Sequence, residues 1–147
     1  MLEFWGFASM SAITFRIGND LDLDELIELY AATSLGVRRP LDDRVTMADM
    51  LRHGNLIVTA WEGPLLVGVS RSLTDFSYVA YLSDLAVRES HQHRGIGRDL
   101  IRHTREALGP RCKLVLLAAP LAVDYYPRLG FTQHPSAWTL DAHEPLL

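Results

Sequence analysis

"YLSDLAVRESHQHRGIGRDLIRHT", residues 81–104, decides how this chain is read. Its first seven residues are apolar at most positions, as a central strand should be. A polar loop follows, then two glycines two apart (Gly95 and Gly97) with Arg94 and Arg98 beside them. From Ile96 the apolar residues recur at Leu100, Ile101, Thr104 and Leu108, the spacing of one helix face. Glycine in regular structure normally costs stability. Its place at a helix start therefore implies a tight turn, or something that must come close to the backbone. A helix N-terminus offers unpaired amides and a partial positive charge, which together suit an anion.

The surroundings set limits on that ligand. At 147 residues the chain is most simply one domain, long enough to bury a core without disulfides. A formal net charge of -4 argues against general nucleic-acid binding. The single cysteine, Cys112, opens the apolar run "CKLVLLAA" and reads as a buried, inert thiol. The histidines at 53, 91, 93, 103, 134 and 143 are scattered without a metal-ligand spacing, so no metal is expected. The opening "MLEFWGFASM" is apolar but short, with Glu3 where a signal peptide would carry positive charge. No run approaches the roughly 20 apolar residues of a membrane helix. The expectation is a cytoplasmic protein that binds neither membrane nor nucleic acid.

Outward from the glycine stretch, "AITFRIGND" (12–20) reads as a strand, and Asp20 or Asp22 as the cap of a helix ending near Gly36. Residues 45–54 read as a second helix. "NLIVTAWEGPLLVGVSRSLTD" (55–75) reads as a hairpin turning at "EGP", and 78–87 as a third strong strand. After the helix from about Gly95 come "KLVLLAA" as a strand, a helix with Pro120 in its first turn, and "TQHPSAWTL" as a final strand. Residues 1–11 are an N-terminal extension, and 12–147 form one α/β domain with a mixed sheet. The strand–helix–strand unit at 78–118 is its parallel element.

Competing phosphate motifs fail. A Walker A loop needs GxxxxGK[ST], and there is no lysine here; a Rossmann fingerprint needs a third glycine where Leu100 stands. The segment Gln92–Gly97 does read Q-x-x-G-x-G, after "DLAV" and before a helix, with "YYPRLGF" (125–131) farther on. Together these resemble the GNAT superfamily of acetyl-CoA-dependent N-acetyltransferases, over residues 12–140 in order of elements. The resemblance implies a mostly antiparallel sheet of six to seven strands with about four helices, and acetyl-CoA as co-substrate. It places Gln92, His93, Arg94, Gly95, Ile96 and Gly97 around the pyrophosphate through their amides, with Arg98 in support. Leu85, Ala86 and Val87 would lend backbone groups to the pantetheine arm and the acyl carbonyl. Tyr126 matches the family tyrosine that meets the departing thiolate, with Tyr125 as its rival. Where many members carry asparagine, this chain has Ala119.

The amine that attacks must first lose a proton. Asp84, on the strand just before "LAV", is the candidate base; a hydrogen-bonded structural aspartate fits it equally, and Glu62 and Asp75 stand in reserve. The expected reaction is direct acetyl transfer to a primary amine in a ternary complex. The alternative is an inactive acyl-CoA-binding sensor, and beyond that a turn whose glycines bind nothing. The acceptor site is expected between the loop 33–46 and the final strand, lined by Asp42, Asp43, Tyr81 and Trp138. An unpaired sheet edge near the C-terminus would suit a homodimer.

Overall fold

A computed structural model describes residues 12–147. The chain divides into two compact units, one reaching to Leu117 and one from Ala118 to Leu147. The N-terminal extension read at 1–11 lies outside the described residues.

The first unit is built on one sheet in the order β1-β2-β3-β4-β5. Its strands are β1 (Ile13–Ile17), β2 (Leu56–Glu62), β3 (Leu65–Thr74), β4 (Val79–Val87) and β5 (Lys113–Val115). The first four pair antiparallel with their neighbours, and β5 joins β4 in parallel. The hairpin forms where "EGP" announced it, with Gly63 at φ 54° in a two-residue turn closed by Glu62 opposite Leu65. A parallel partner for β4 requires a crossover, and α3 (Ile96–Glu106) supplies it.

Two helices cover one face of the sheet and α3 the other. The first, α1 (Leu23–Ala31), is capped by the Asp22 carboxylate on Glu25 N–H at 3.0 Å. The second, α2 (Arg44–His53), is capped in the same way by Asp43 on Thr46 N–H. Leu26, Leu29, Tyr30, Met47 and Leu51 bury against Ile57, Trp61, Leu66, Val69 and Ala86. On the opposite face Ile96 and Leu100 of α3 meet Val58, Ala60 and Val67. Thr104 of α3 also bonds Ser70 there at 2.5 Å. The close approach of α3 explains Gly68: an added Cβ would lie 3.0 Å from Leu100 Cδ1 and 3.2 Å from the Ala86 carbonyl oxygen.

α1 stops at Ala31, short of Gly36, because Thr33 turns its hydroxyl back onto the Tyr30 carbonyl at 2.9 Å. Gly36 instead opens a short 3₁₀ turn, where a Cβ would come 2.6 Å from the Tyr30 oxygen.

The second unit corrects two expectations. "TQHPSAWTL" forms no strand, so the described sheet has five strands and not six to seven. Its residues are all exposed, Trp138 at 92%, and Pro135 removes a ladder donor in the middle of the run. The helix expected after Pro120 is split into a 3₁₀ turn, Pro120–Ala122, and α4 (Tyr125–Arg128). In the first unit, "KLVLLAA" keeps only Lys113–Val115 as strand, and Cys112 is half-buried, its Sγ 3.8 Å from Thr74 Oγ1.

Candidate active site at the junction of β4 and α3

Three observations define the site, and all belong to the first unit. The first concerns strand pairing. β5 accompanies β4 only at Val79, Ala80 and Tyr81, opposite Lys113, Leu114 and Val115. β4 continues to Val87 without it, so among the described residues no strand pairs with the β4 edge from Leu82 onward. Leu85, Ala86 and Val87 lie along that edge.

The second is the loop. After Val87 the chain turns through a short 3₁₀ segment, Glu89–His91, and enters α3 with Gly95 at φ 80°. Among the described residues nothing lies within 4 Å of the place where a Gly95 Cβ would be, so the glycine serves the left-handed turn. His93 takes the same region at φ 63°, an uncommon conformation for a side-chain-bearing residue. α1 and α2 have carboxylate caps, but among the described residues no side chain caps α3. Its first helical bond runs from Asp99 N–H to Gly95 O, so the amides of Ile96, Gly97 and Arg98 precede the ladder. Among the described residues Arg98 is in no ion pair, and Arg94 leans on Glu62 at 3.5 Å.

Side chains from distant strands hold this loop in place. His91 is buried, with Nδ1 2.7 Å from Ser90 Oγ and Nε2 3.2 Å from Glu62 Oε1. These contacts with His91 and Arg94 hold the Glu62 carboxyl below its ordinary range. Arg88 donates to both Glu28 oxygens at 2.6 Å and to the Leu66 carbonyl, fixing the end of β4 to α1 and β3. Gln92 turns back to donate to the Val87 carbonyl at 3.2 Å. Beside the loop, Ala31, Ala32, Thr33, Ser34, Glu89 and Gln92 line an opening of about 320 Å³.

The third observation is the charge inside β4. Asp84 is 1% exposed. One oxygen accepts from Tyr30 Oη at 2.7 Å and from Arg71 Nε at 2.6 Å, and the other accepts from Arg39 Nε at 2.7 Å. Burial alone would push its carboxyl up. The hydrogen bond and charge of Arg71, with Tyr30 and Arg39, outweigh that and hold it below the ordinary range. The same surroundings raise the Tyr30 phenol well above its usual value, burial first and the Asp84 charge next. A register shift between Arg71 and Ser72 leaves Ser83 outside the ladder, and its carbonyl accepts from Arg39 Nη2 at 2.9 Å. No sequence signal points to Arg39 or Arg71 as partners of Asp84; Arg39 is 45 residues away.

Two of the remaining candidate carboxylates are also committed. Asp75 accepts from the amides of Ser77, Tyr78 and Val79, which lower its carboxyl. Asp43 is occupied by its helix cap, whereas Asp42 is exposed. Tyr81 is 38% exposed on β4. In the second unit, Tyr126 packs edge-on against Tyr125 and Phe131, with ring centroids 5.3 and 5.4 Å apart. Burial raises its phenol, and Tyr125 adds to the shift. Among the described residues no group of acidic, histidine or cysteine side chains is placed to hold a metal.

Residues 53–133 match the family described as "Acetyltransferase (GNAT) domain". The chain belongs to that family and is an acyltransferase. It is 30% identical over 125 residues to "Uncharacterized N-acetyltransferase ycf52" of Porphyra purpurea, covering 79% of this chain and 68% of that protein. A ycf52-like relative from Prochlorococcus marinus is 31% identical over 121 residues, 78% of this chain and 65% of its own. The chain thus spans about two thirds of the length of these relatives. Among solved structures, the aminoglycoside N-acetyltransferase AAC(6')-Iy in complex with CoA shares the fold at a TM-score of 0.70 and 17% identity, over 90% of this chain and 96% of that one.

Proposed function

We propose that this chain transfers an acetyl group from acetyl-CoA to a primary amine by direct attack, with both substrates bound together. The observation that carries the reading is the uncapped N-terminus of α3, opened by Gly95 at positive φ and set at the end of a strand edge that β5 leaves free. The chemistry that acetyl-CoA supplies when bound is an activated thioester.

The chain's own groups account for the rest. The amides of the loop Gln92–Gly97, together with Arg98 and the Glu62-held Arg94, receive the pyrophosphate. The β4 edge at Leu85–Val87 offers backbone donors, and one of them polarises the acyl carbonyl. The amine lone pair forms the new C–N bond as the C–S bond breaks; by the family resemblance Tyr126 gives its proton to the departing thiolate, and the proton shed by the new amide nitrogen restores the phenol through solvent. A phenol whose pKa is raised by burial stays protonated through neutral pH and is available as that acid. Asp84 is a weak base where it stands, with a lowered pKa and hydrogen bonds from Tyr30, Arg71 and Arg39 around it. We read it as a positioning residue. The amine then enters as its free base, drawn from equilibrium with solvent.

Thermal stabilisation by acetyl-CoA and thiol release with an amine panel test this together. A ligand at 100 times its dissociation constant adds about 2.7 kcal/mol. Gly97→Glu, which sets bulk and negative charge at the helix start, removes that stabilisation if the loop is the donor site. Stabilisation without thiol release on any amine favours the sensor reading. No stabilisation at all overturns both.

A further inference from the structure

The buried cluster on β4 carries an unbalanced charge. Arg71 and Arg39 bring two positive charges to the single negative charge of Asp84, and Tyr30 adds none. Arg71 is spent: its side chain is 7% exposed, and its nitrogens serve Asp84, Ser83 Oγ and the Met50 carbonyl. Arg39 is different. Its side chain is 21% exposed, and it comes from the segment between α1 and α2. Its Nε and Nη2 are committed to Asp84 and the Ser83 carbonyl, and one Nη1 hydrogen to the Arg38 carbonyl at 2.9 Å. A guanidinium has five N–H groups. The second Nη1 hydrogen has no acceptor among the described residues. Arg38, beside it, is exposed and in no ion pair among them.

The order of groups along β4 gives this surplus its meaning. From the pyrophosphate loop at 92–97 the strand runs back through Val87 to Leu85, where the acyl group is placed by the reading above. Ser83 and Arg39 come next, roughly 7 Å farther at the rise of a strand. The surplus cation therefore lies beyond the acyl end of β4, on the side away from the pyrophosphate loop and so left open to an acceptor by the donor as placed above. An acceptor of high positive charge would meet repulsion there, in a partly desolvated site where charges are weakly screened.

We propose that the acceptor is an amine that also bears a carboxylate a few bonds from the nitrogen, read by Arg39. An amino acid or a compound of that kind fits, whereas a polyamine or an aminoglycoside does not. Asp84 then has a second role, aiming the Arg39 fork and keeping it from being displaced. The inference rests on the acetyl-transfer reading.

Matched acceptors that differ only by the carboxylate test it: tyrosine against tyramine, lysine against cadaverine, histidine against histamine, with spermidine and kanamycin alongside. Thiol release gives kcat and KM. Stabilisation of the CoA-bound protein by each compound gives binding apart from turnover. The carboxylate-bearing member is expected to have the higher kcat/KM by about tenfold or more, carried by KM, the scale of one charge-assisted hydrogen bond. It alone is expected to add stability to the CoA complex. Arg39→Gln is expected to level each pair with acetyl-CoA affinity unchanged, and Arg39→Lys to keep part of the preference. If Arg39→Gln does not fold, the wild-type pairs and Arg39→Lys decide.

Equal or faster turnover of tyramine, cadaverine, spermidine or protein lysines overturns the carboxylate inference and leaves acetyl transfer standing. Stabilisation by acetyl-CoA with no turnover of any compound overturns both.

Discussion

Tyr30, at the buried face of α1, donates its phenolic proton to Asp84 on β4 at 2.7 Å, across 54 residues of sequence. This bond ties the helical layer to the strand that forms the candidate site. Removing the carboxylate leaves two guanidinium groups without their counter-charge. Asp84→Ala is expected to destabilise the protein by about 3–5 kcal/mol in denaturant unfolding, the usual cost of breaking a buried pair. Tyr30→Phe should cost about 1 kcal/mol, the net worth of one hydrogen bond.

Asp84 also sets a pH dependence. Its folded pKa lies below its unfolded value of about 3.9, so the stability it contributes is present above that value and is lost as pH falls through the folded pKa. The melting temperature of wild type should fall steeply below about pH 4, while Asp84→Asn lacks this share of the fall. The gap between the two proteins should narrow as pH drops. A gap that is constant from pH 7 to pH 3 would show that Asp84 has no depressed pKa.

Gly68 tests the fit between sheet and helix. Alanine there meets Leu100 Cδ1 at 3.0 Å and the Ala86 carbonyl at 3.2 Å. Leu100 can shift, but the carbonyl is backbone in β4. Gly68→Ala should cost about 1–3 kcal/mol, and Gly68→Val more, measured by urea midpoint.

Much of the first unit was legible because its signals are local. Asp22 and Gly63 act within a few residues of where they stand, and the apolar positions of α3 bury as spaced: Ile96, Leu100, Ile101 and Thr104. The glycine loop was legible for the same reason. Gly36 misled, since its 2.6 Å approach to the Tyr30 oxygen belongs to the chain folding back over the end of α1, five residues past where the helix stops at Ala31. The surroundings of Asp84 were hidden entirely: spacing cannot reveal that Arg39 and Arg71 converge on it. The last strand failed because a ladder needs a partner, and alternation in "TQHPSAWTL" says nothing about one.

Tyr126→Phe separates chemistry from binding. With the phenol as general acid, turnover should fall by about 100-fold or more while acetyl-CoA affinity holds. Unchanged turnover would pass the proton to Tyr125 or to water.

An amine that enters as its free base leaves its own signature. Across acceptors of different basicity, the rise of kcat/KM with pH should follow the pKa of each amine. A rise fixed at one pH for every acceptor would reveal an enzyme base, and would return the search to the carboxylates near β4.

Because β5 leaves β4 after Tyr81, every second amide of the strand beyond the irregularity at Ser83 is bonded to β3 while its neighbours point toward the unpaired edge. Hydrogen exchange should therefore alternate in rate along this one strand in the free protein. A donor lying along that edge would slow only the fast set, so that a deuterium pattern with a two-residue rhythm becomes a direct gauge of its occupancy.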